Sequence, residues 1–212
     1  MRVALIGATG PVGRRILQEL VDRGHQVAAI VRNIANVPTN PNIEALSVDI
    51  GDTDTLSSAL RGHEAVISSI RFLKIDAERM IGAVRKAGVR RYLIVGGAAS
   101  LYAPGTTTKL IDGGQIPEQY LPEPTAGAAF FTRLQQEEEL EWTFLSPPMM
   151  FSNDEVFGTE EGGRTGTFRI GRDELLVNDE GESKISYEDY AVAMVDELEK
   201  PRHIRQRFTV GY

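Results

Sequence analysis

The sequence predicts an α/β fold: a doubly wound parallel sheet with helices on both faces. Three observations predict it. An apolar run over residues 3–6 opens the chain and reads as a strand buried on both faces. It passes straight into Gly7-Ala-Thr-Gly-Pro-Val-Gly13, and behind those glycines Ile16, Leu17, Leu20 and Val21 recur at helical spacing until Gly24. Strand-like and helical segments then alternate, with short connections, as far as Val95.

The remaining elements follow in order. Gln26–Val31 reads as a second buried strand and residues 43–49 as a third. Gly51-Asp-Thr-Asp54 supplies capping residues for a short helix over residues 55–60, closed by Gly62. Residues 65–70 read as the fourth strand. A helix over residues 76–87 carries Met80, Ile81 and Val84 on one face and stops at Gly88. Residues 92–95 form the fifth strand and run into Gly96-Gly-Ala-Ala-Ser100. The rhythm then breaks. Residues 101–127 hold four prolines with repeated Gly and Thr, and read as a long functional loop, a mobile lid over the mouth of the sheet. A helix over residues 128–139 follows, and the acidic run from Glu137 to Glu141 reads as its solvated face. Residues 142–145 form the sixth strand, and the glycine-rich residues 158–171 read as a turn and hairpin. Ser186-x-x-Asp189 is a capping box that opens a helix over Tyr187–Glu199. Pro201 stops it, and residues 208–210 make a short terminal strand. No repeat or linker divides the 212 residues, too few for two comfortable domains. One domain over residues 1–212 is expected, with segments near 101–127 and 147–186 forming a small C-terminal substrate-side region.

Strand, glycine turn and helix N-terminus, in that order, meet the requirements of a dinucleotide pyrophosphate site of Rossmann type. Gly7 permits the tight turn, Gly10 lets the backbone approach the phosphates, and Gly13 lets helix and strand pack closely. Thr9, Gly10, Pro11, Val12 and Gly13 would surround the anion, facing it with free N–H groups and the positive end of the helix dipole. In a doubly wound sheet the ligand lies beyond the carboxyl ends of the strands, near the switch in strand order. Ile50, Ser68, Ser69, Ile70, Gly97 and Pro147 all fall at such ends and are the further expected cofactor contacts.

The bulk numbers exclude several classes. Hydrophobic residues are 42% and charged residues 25%, as in a globular chain. A net charge of -7 argues against a nucleic-acid partner. No apolar run reaches the length of a membrane span, and Met1 leads straight into a strand, so neither a membrane nor a secretory leader is expected. The chain has no cysteine, which rules out disulfides and thiolate chemistry and suits a cytoplasmic protein. His25, His63 and His203 lack metal-ligand spacing and read as surface or loop residues, so no metal is expected. A monomer or weak homodimer is the expected state.

The second strand indicates which nicotinamide cofactor fits. A carboxylate at its end binds the ribose hydroxyls of NAD, whereas an arginine accommodates the extra phosphate of NADP. Here the strand ends in Arg32 and Asn33, with no carboxylate in the turn. Arg32 can fork onto a phosphate through two charge-assisted hydrogen bonds, so NADP(H) is preferred over NAD(H). Asp49 is placed either to accept from the adenine amino group or to cap the next helix.

With these residues in view, Gly7-Ala-Thr-Gly-Pro-Val-Gly13, Val31-Arg-Asn33 and Val66-Ile-Ser-Ser69 resemble the atypical short-chain dehydrogenases that bind NAD(P). Trp142-Thr-Phe-Leu-Ser-Pro147, Arg164-Thr-Gly166, Ile185-Ser-Tyr-Glu-Asp-Tyr-Ala191 and Arg205-Gln-Arg-Phe-Thr209 are similar to the bacterial NADH-flavin reductases within that group, and residues 101–127 alone fall outside the likeness. The resemblance implies hydride transfer from NAD(P)H to a small-molecule acceptor, with FMN or FAD as candidate substrates. Ser100 sits where the family's site serine falls, although it could equally bond its own backbone at a strand end. Ketone-reducing relatives use a Tyr-x-x-x-Lys pair, the tyrosine protonating the alkoxide. None of the six tyrosines here has a lysine four positions on. A site without that acid suits a conjugated ring, which spreads the arriving charge, better than a simple ketone. Tyr102 and Lys109 on the loop, with Met149 and Phe151 after Pro147, are the expected substrate-pocket residues, Pro147–Phe151 being read either as an apolar wall or as ordinary packing. Two rivals stay open: a non-catalytic NAD(P)-sensing protein resembling the NmrA-like regulators, and a sugar-nucleotide epimerase or dehydratase.

Overall fold

The computed structural model describes residues 1–114, 116–151 and 163–212. Its strands are β1 (Arg2–Ile6), β2 (Gln26–Val31), β3 (Ile43–Ser47), β4 (Ala65–Ser68), β5 (Arg91–Val95), β6 (Glu141–Ser146), β7 (Arg169–Gly171) and β8 (Gln206–Gly211). Its α-helices are α1 (Pro11–Asp22), α2 (Thr53–Leu60), α3 (Ala77–Lys86), α4 (Pro122–Leu134) and α5 (Tyr187–Glu199). The strands make one sheet in the order β3-β2-β1-β4-β5-β6-β8-β7. Every pairing is parallel except that of β7 with β8. This is the predicted Rossmann-type α/β fold. The strand order reverses between β1 and β4, which opens a crevice beyond their carboxyl ends.

The period of two along β1 builds both layers. Val3 and Leu5 pack on one face with Ile16, Leu17 and Leu20 of α1 and Met194 and Val195 of α5. Ala4 and Ile6 pack on the other with Leu56 of α2, Ile81 and Val84 of α3 and Phe131 of α4. The second layer holds an aromatic cluster: the Phe72 and Phe130 ring centroids are 5.2 Å apart and those of Phe131 and Phe144 are 4.8 Å apart. Each such pair adds about 0.5–1.5 kcal/mol beyond its buried area.

Several elements differ from the sequence-based expectations. β3 is an edge strand and largely exposed, because no described strand pairs its outer side. Helix α4 begins at Pro122, inside the stretch read as loop, and ends at Leu134. Pro122 and Pro124 occupy its first turn, where backbone N–H groups lack partners in any case and proline is tolerated. The acidic run is therefore not a helix face. Glu137 is buried, and its carboxylate accepts from the N–H groups of Glu139 and Leu140 to shape the turn into β6. Of the expected hairpin over 158–171, residues 158–162 lie outside the described residues, and β7 pairs with β8 rather than with a near neighbour. His25 is buried against Glu199, and His203 stacks on Phe208 while its Nδ1 meets Glu197, so neither is a surface residue.

The capping box at Ser186 forms in half. Ser186 Oγ accepts from the Asp189 N–H at 3.0 Å. The Asp189 carboxylate, fully buried, accepts from the N–H groups of Thr165 and Gly166, from the Thr165 hydroxyl and from the Tyr212 hydroxyl. The adjacent Arg164 reaches Glu19 on α1 at 2.8 Å. The Arg164 hydrogen bonds lower the Glu19 pKa against the burial that raises it, and Arg23 lowers it further. A depressed carboxyl pKa stabilises the fold fully above the ordinary value of 4.5, and that contribution is lost as pH falls through the folded value. Glu19→Gln is expected to flatten the acid side of the melting-temperature profile. An acid loss as steep as that of the native protein would contradict this assignment.

Candidate functional site

The glycine turn is set by contacts with two neighbouring strands. Gly7 has φ +84, a conformation that favours glycine, and its N–H donates to Ile30 O at the end of β2 at 2.9 Å. A Cβ on Gly7 would lie 2.2 Å from Ser69 O, and one on Gly13 would lie 2.1 Å from Gly7 O. The protein's own backbone therefore requires both glycines. Gly10 is different. Its φ of -71 suits any residue, and among the described residues beyond its chain neighbours an added Cβ would meet only Gly7 O, at 3.6 Å, an ordinary contact. Nothing in the fold demands glycine there, so the open space is a cradle that a side chain would fill.

Helix α1 starts on Gly10 with Pro11 in its first turn, no side-chain cap and no acidic residue in that turn. Its N-terminal N–H groups and dipole remain available to an anion. Thr9 O accepts from Arg14 Nη2 at 3.0 Å, which places a second cation beside the turn. Val12 is half-buried and packs against the α1 layer.

The other predicted cofactor contacts take distinct environments. Arg32 is exposed at the end of β2, and its guanidinium makes no hydrogen bond or ion pair with the described residues. Asn33 Oδ1 accepts from the Ala35 N–H and starts a short 3-10 turn. Asp49 does not cap α2; that cap is Asp52, whose carboxylate takes the N–H groups of Asp54 and Thr55. Asp49 Oδ1 instead accepts from the Gly51 N–H, and the side chain stays at the exposed rim. Ile50 and Ile70 are half-buried against the α2–α4 layer. Ser68 turns its hydroxyl into the core, 2.9 Å from the Tyr92 hydroxyl, so that oxygen does not face the crevice. Ser69 lines it through its backbone, which touches Gly7. Gly97 is half-buried, and Pro147 is buried at the end of β6.

The substrate side is split and tied down. Residues 101–112 are not a free lid. Tyr102 bridges to Lys109 and to Glu174, the Tyr102 N–H donates to Asp173 O, and Leu101 and Leu110 are buried with Leu175. With α4 beginning at Pro122, the connection read as 101–127 has little unanchored length, although Gln115 lies outside the described residues. Lys109 is exposed. Met149 packs on the Leu101–Leu110–Leu175 cluster, whereas Phe151 turns to α5, with ring centroids 4.9 Å from Tyr187 and 4.5 Å from Tyr190. The expected single wall is thus divided, Met149 and Phe151 packing into different clusters.

Ser100 is buried, and its Oγ accepts from Arg207 Nη1 at 2.8 Å. Arg207 was not legible as a site residue by motif, although a charged residue beside Phe208 and Val210 in a core strand is itself a signal. Neither Tyr92 nor Tyr190 stands in for the missing tyrosine. Tyr92 and Tyr190 are wholly buried, burial pushes both phenols up, and Tyr190 donates to Leu145 O at 2.6 Å. A cleft of about 240 Å³ lies elsewhere, lined by Arg23, Ile170, Glu199, Arg202, His203 and Phe208 towards the amino end of β8, and is not the dinucleotide crevice.

Comparison with known proteins agrees with this geometry. A family model for NAD(P)H-binding proteins matches residues 7–201. The uncharacterized protein YwnB of Bacillus subtilis is 37% identical, over 99% of this chain and 98% of that protein. The structure of a candidate epimerase from Bacteroides thetaiotaomicron is 38% identical with a TM-score of 0.90, covering 100% of this chain and 96% of the other. That of a candidate NADH-flavin reductase from Streptococcus pneumoniae is 34% identical with a TM-score of 0.82, covering 100% and 99%. The described residues contain no helix long and apolar enough to cross a membrane.

Proposed function

The chain belongs to the NAD(P)H-binding family, and from that premise we propose that it is an NADPH-dependent reductase of flavins or other conjugated ring compounds. The observation that carries the cofactor half is Gly10. Two glycines of the turn serve the protein's own packing, and the third keeps open a space at an uncapped helix N-terminus. A pyrophosphate fits that space and that charge. Gly7, Gly10 and the first turn of α1 would hold it, and the bound nicotinamide would supply the hydride.

The preference for NADP rests on Arg32, a cation at the rim with no partner among the described residues and no carboxylate in the turn that follows. Arg32→Ala should remove a charge-assisted hydrogen bond, about 1.5–3 kcal/mol. Calorimetry should then show NADPH affinity falling by roughly ten- to a hundredfold while NADH affinity holds. Equal affinities of the native protein for the two cofactors would contradict the assignment.

The acceptor half rests on what the site lacks. The sequence has no tyrosine–lysine pair, and the buried Tyr92 and Tyr190 phenols, pushed up by that burial, are poor acids for a ketone. A conjugated acceptor spreads the arriving charge and draws its proton from solvent. The protein's part is orientation and exclusion of water, with Ser100 assigned to touch the acceptor. The similar Bacteroides protein keeps an epimerase open as a rival, but sugar-nucleotide epimerases need the same missing pair. A reductase that draws on NADPH works where that cofactor is regenerated, which favours the cytoplasm. Adding FMN to protein and NADPH should consume the reduced cofactor, and adding a simple ketone should not. Tight NADPH binding without consumption in the presence of any acceptor would favour a sensor instead.

A further inference from the structure

Arg207 occupies an inward position of β8, opposite Phe144 of β6, and its side chain is 4% exposed. A guanidinium stays charged in a protein, so its burial must be matched by partners. Nε and Nη2 donate to Asp173 Oδ1 at 2.9 and 2.6 Å, Nη1 donates to Ser100 Oγ at 2.8 Å, and the guanidinium carbon lies 4.6 Å from the Phe131 ring centroid. The Asp173 side chain is 58% exposed. A chain of contacts therefore runs from solvent, through a fixed cation, to a hydroxyl in the segment that follows β5.

Arginine carries donors only, so Ser100 Oγ can only accept in this contact. Its own proton is forced to the side away from the guanidinium. Among the described residues that proton has no acceptor: Ser100 does not bond back to a nearby carbonyl, as a serine at a strand end commonly does. A buried hydroxyl with an unused donor, in the segment that follows β5 and held by a cation, is the arrangement a hydrogen-bond-accepting ligand would complete.

We propose that Arg207, clamped by Asp173, is the positioning residue that turns the Ser100 proton towards the acceptor. The inference rests on the reductase reading and names the acceptor more closely. As hydride arrives, negative charge grows on a carbonyl oxygen or ring nitrogen conjugated to the carbon or nitrogen that receives it. Ser100 donates a hydrogen bond to that atom and keeps its proton, while the ring takes its own from solvent. The neighbouring guanidinium strengthens the bond. The acceptor class is a conjugated ring that bears such an oxygen or nitrogen, as a flavin does. A wholly hydrocarbon acceptor gains nothing from the device.

The test combines Ser100→Ala, Arg207→Lys and the double variant. Lysine keeps the charge but lacks the planar fork that reaches Asp173 and Ser100 together. Each single variant should lower kcat with FMN about tenfold and weaken FMN binding, read by flavin fluorescence with NADP+ present, while NADPH affinity is unchanged. The double variant should be no worse than either single one, because both remove the same bond. A merely structural Arg207 would lower the melting temperature, leave FMN affinity unmoved and give additive losses, and that result overturns the proposal. If the native protein binds FMN but reduces nothing, the reductase reading fails alone, and FMN affinity in Ser100→Ala decides the positioning role: weaker binding supports it, unchanged binding overturns it. A native protein that neither binds nor reduces FMN overturns both.

Discussion

Gly10→Val is expected to abolish dinucleotide binding in a protein that still folds. The backbone at Gly10 is extended, with φ -71 and ψ 167, a region β-branched residues accept. Among the described residues, and its chain neighbours aside, Gly7 O alone comes within 4 Å of an added Cβ. Replacing a helix-capping glycine by valine costs on the order of 1 kcal/mol. For a chain of this size that lowers the melting temperature by about 2–4 °C. The side chain, however, fills the space where the pyrophosphate would approach. Calorimetry should detect no NADPH binding, while circular dichroism matches the native protein. Gly13→Ala is the contrast. Its Cβ would lie 2.1 Å from backbone, so the variant should fail to fold or melt far lower. Retained NADPH binding in folded Gly10→Val would show that residues 7–13 are only a structural turn.

Glu197→Ala is expected to cause the largest loss of stability without touching the site. Glu197 is 4% exposed and accepts from Arg91 Nη2 at 3.0 Å, from the N–H groups of Arg202 and His203, and from His203 Nδ1 at 2.8 Å. It joins the start of β5 to the end of α5 and the approach to β8. Burial already holds the Arg91 guanidinium below its ordinary pKa, and the Glu197 charge offsets part of that. Removing one member of a buried pair leaves the other uncompensated, at a cost of about 3–5 kcal/mol. The melting temperature should fall by roughly 6–20 °C. NADPH affinity should hold, because this network lies at the amino ends of the strands and the glycine turn at the carboxyl end of β1. A single variant that melts like the native protein would show that the pair contributes nothing net.

The parts legible in the sequence were those governed by local chemistry. Residues 3–24 announce a strand, a turn and a helix because apolar period, glycine spacing and the stop at Gly24 all agree. Ser186 announces its helix because a cap needs only residues three apart. What stayed illegible depends on partners distant in sequence. Arg207 and Ser100 are 107 positions apart, and nothing local to either pairs them. The strand β7 takes its partner from the chain terminus, so its pairing could not be read from the glycines around it. The start of α4 was hidden because Pro122 and Pro124 look like loop residues unless they are known to sit in a first turn. The string Arg164-Thr-Gly166 carried a resemblance but no mechanism. The structure supplies one: Asp189 holds the Thr165 and Gly166 amides, and Glu19 holds Arg164.

On the proposed function, hydride passes from a nicotinamide held over Gly7, Gly10 and α1 to a conjugated acceptor. The most direct measurement is an anaerobic single turnover. Protein loaded with NADPH is mixed with FMN, and the reduced nicotinamide and the oxidised flavin are followed together. The two signals should fall at one rate and in equal amounts. They should slow when deuterium replaces the transferred hydrogen, and neither should change with Gly10→Val. Flavin that stays oxidised beside fully bound NADPH would contradict the account.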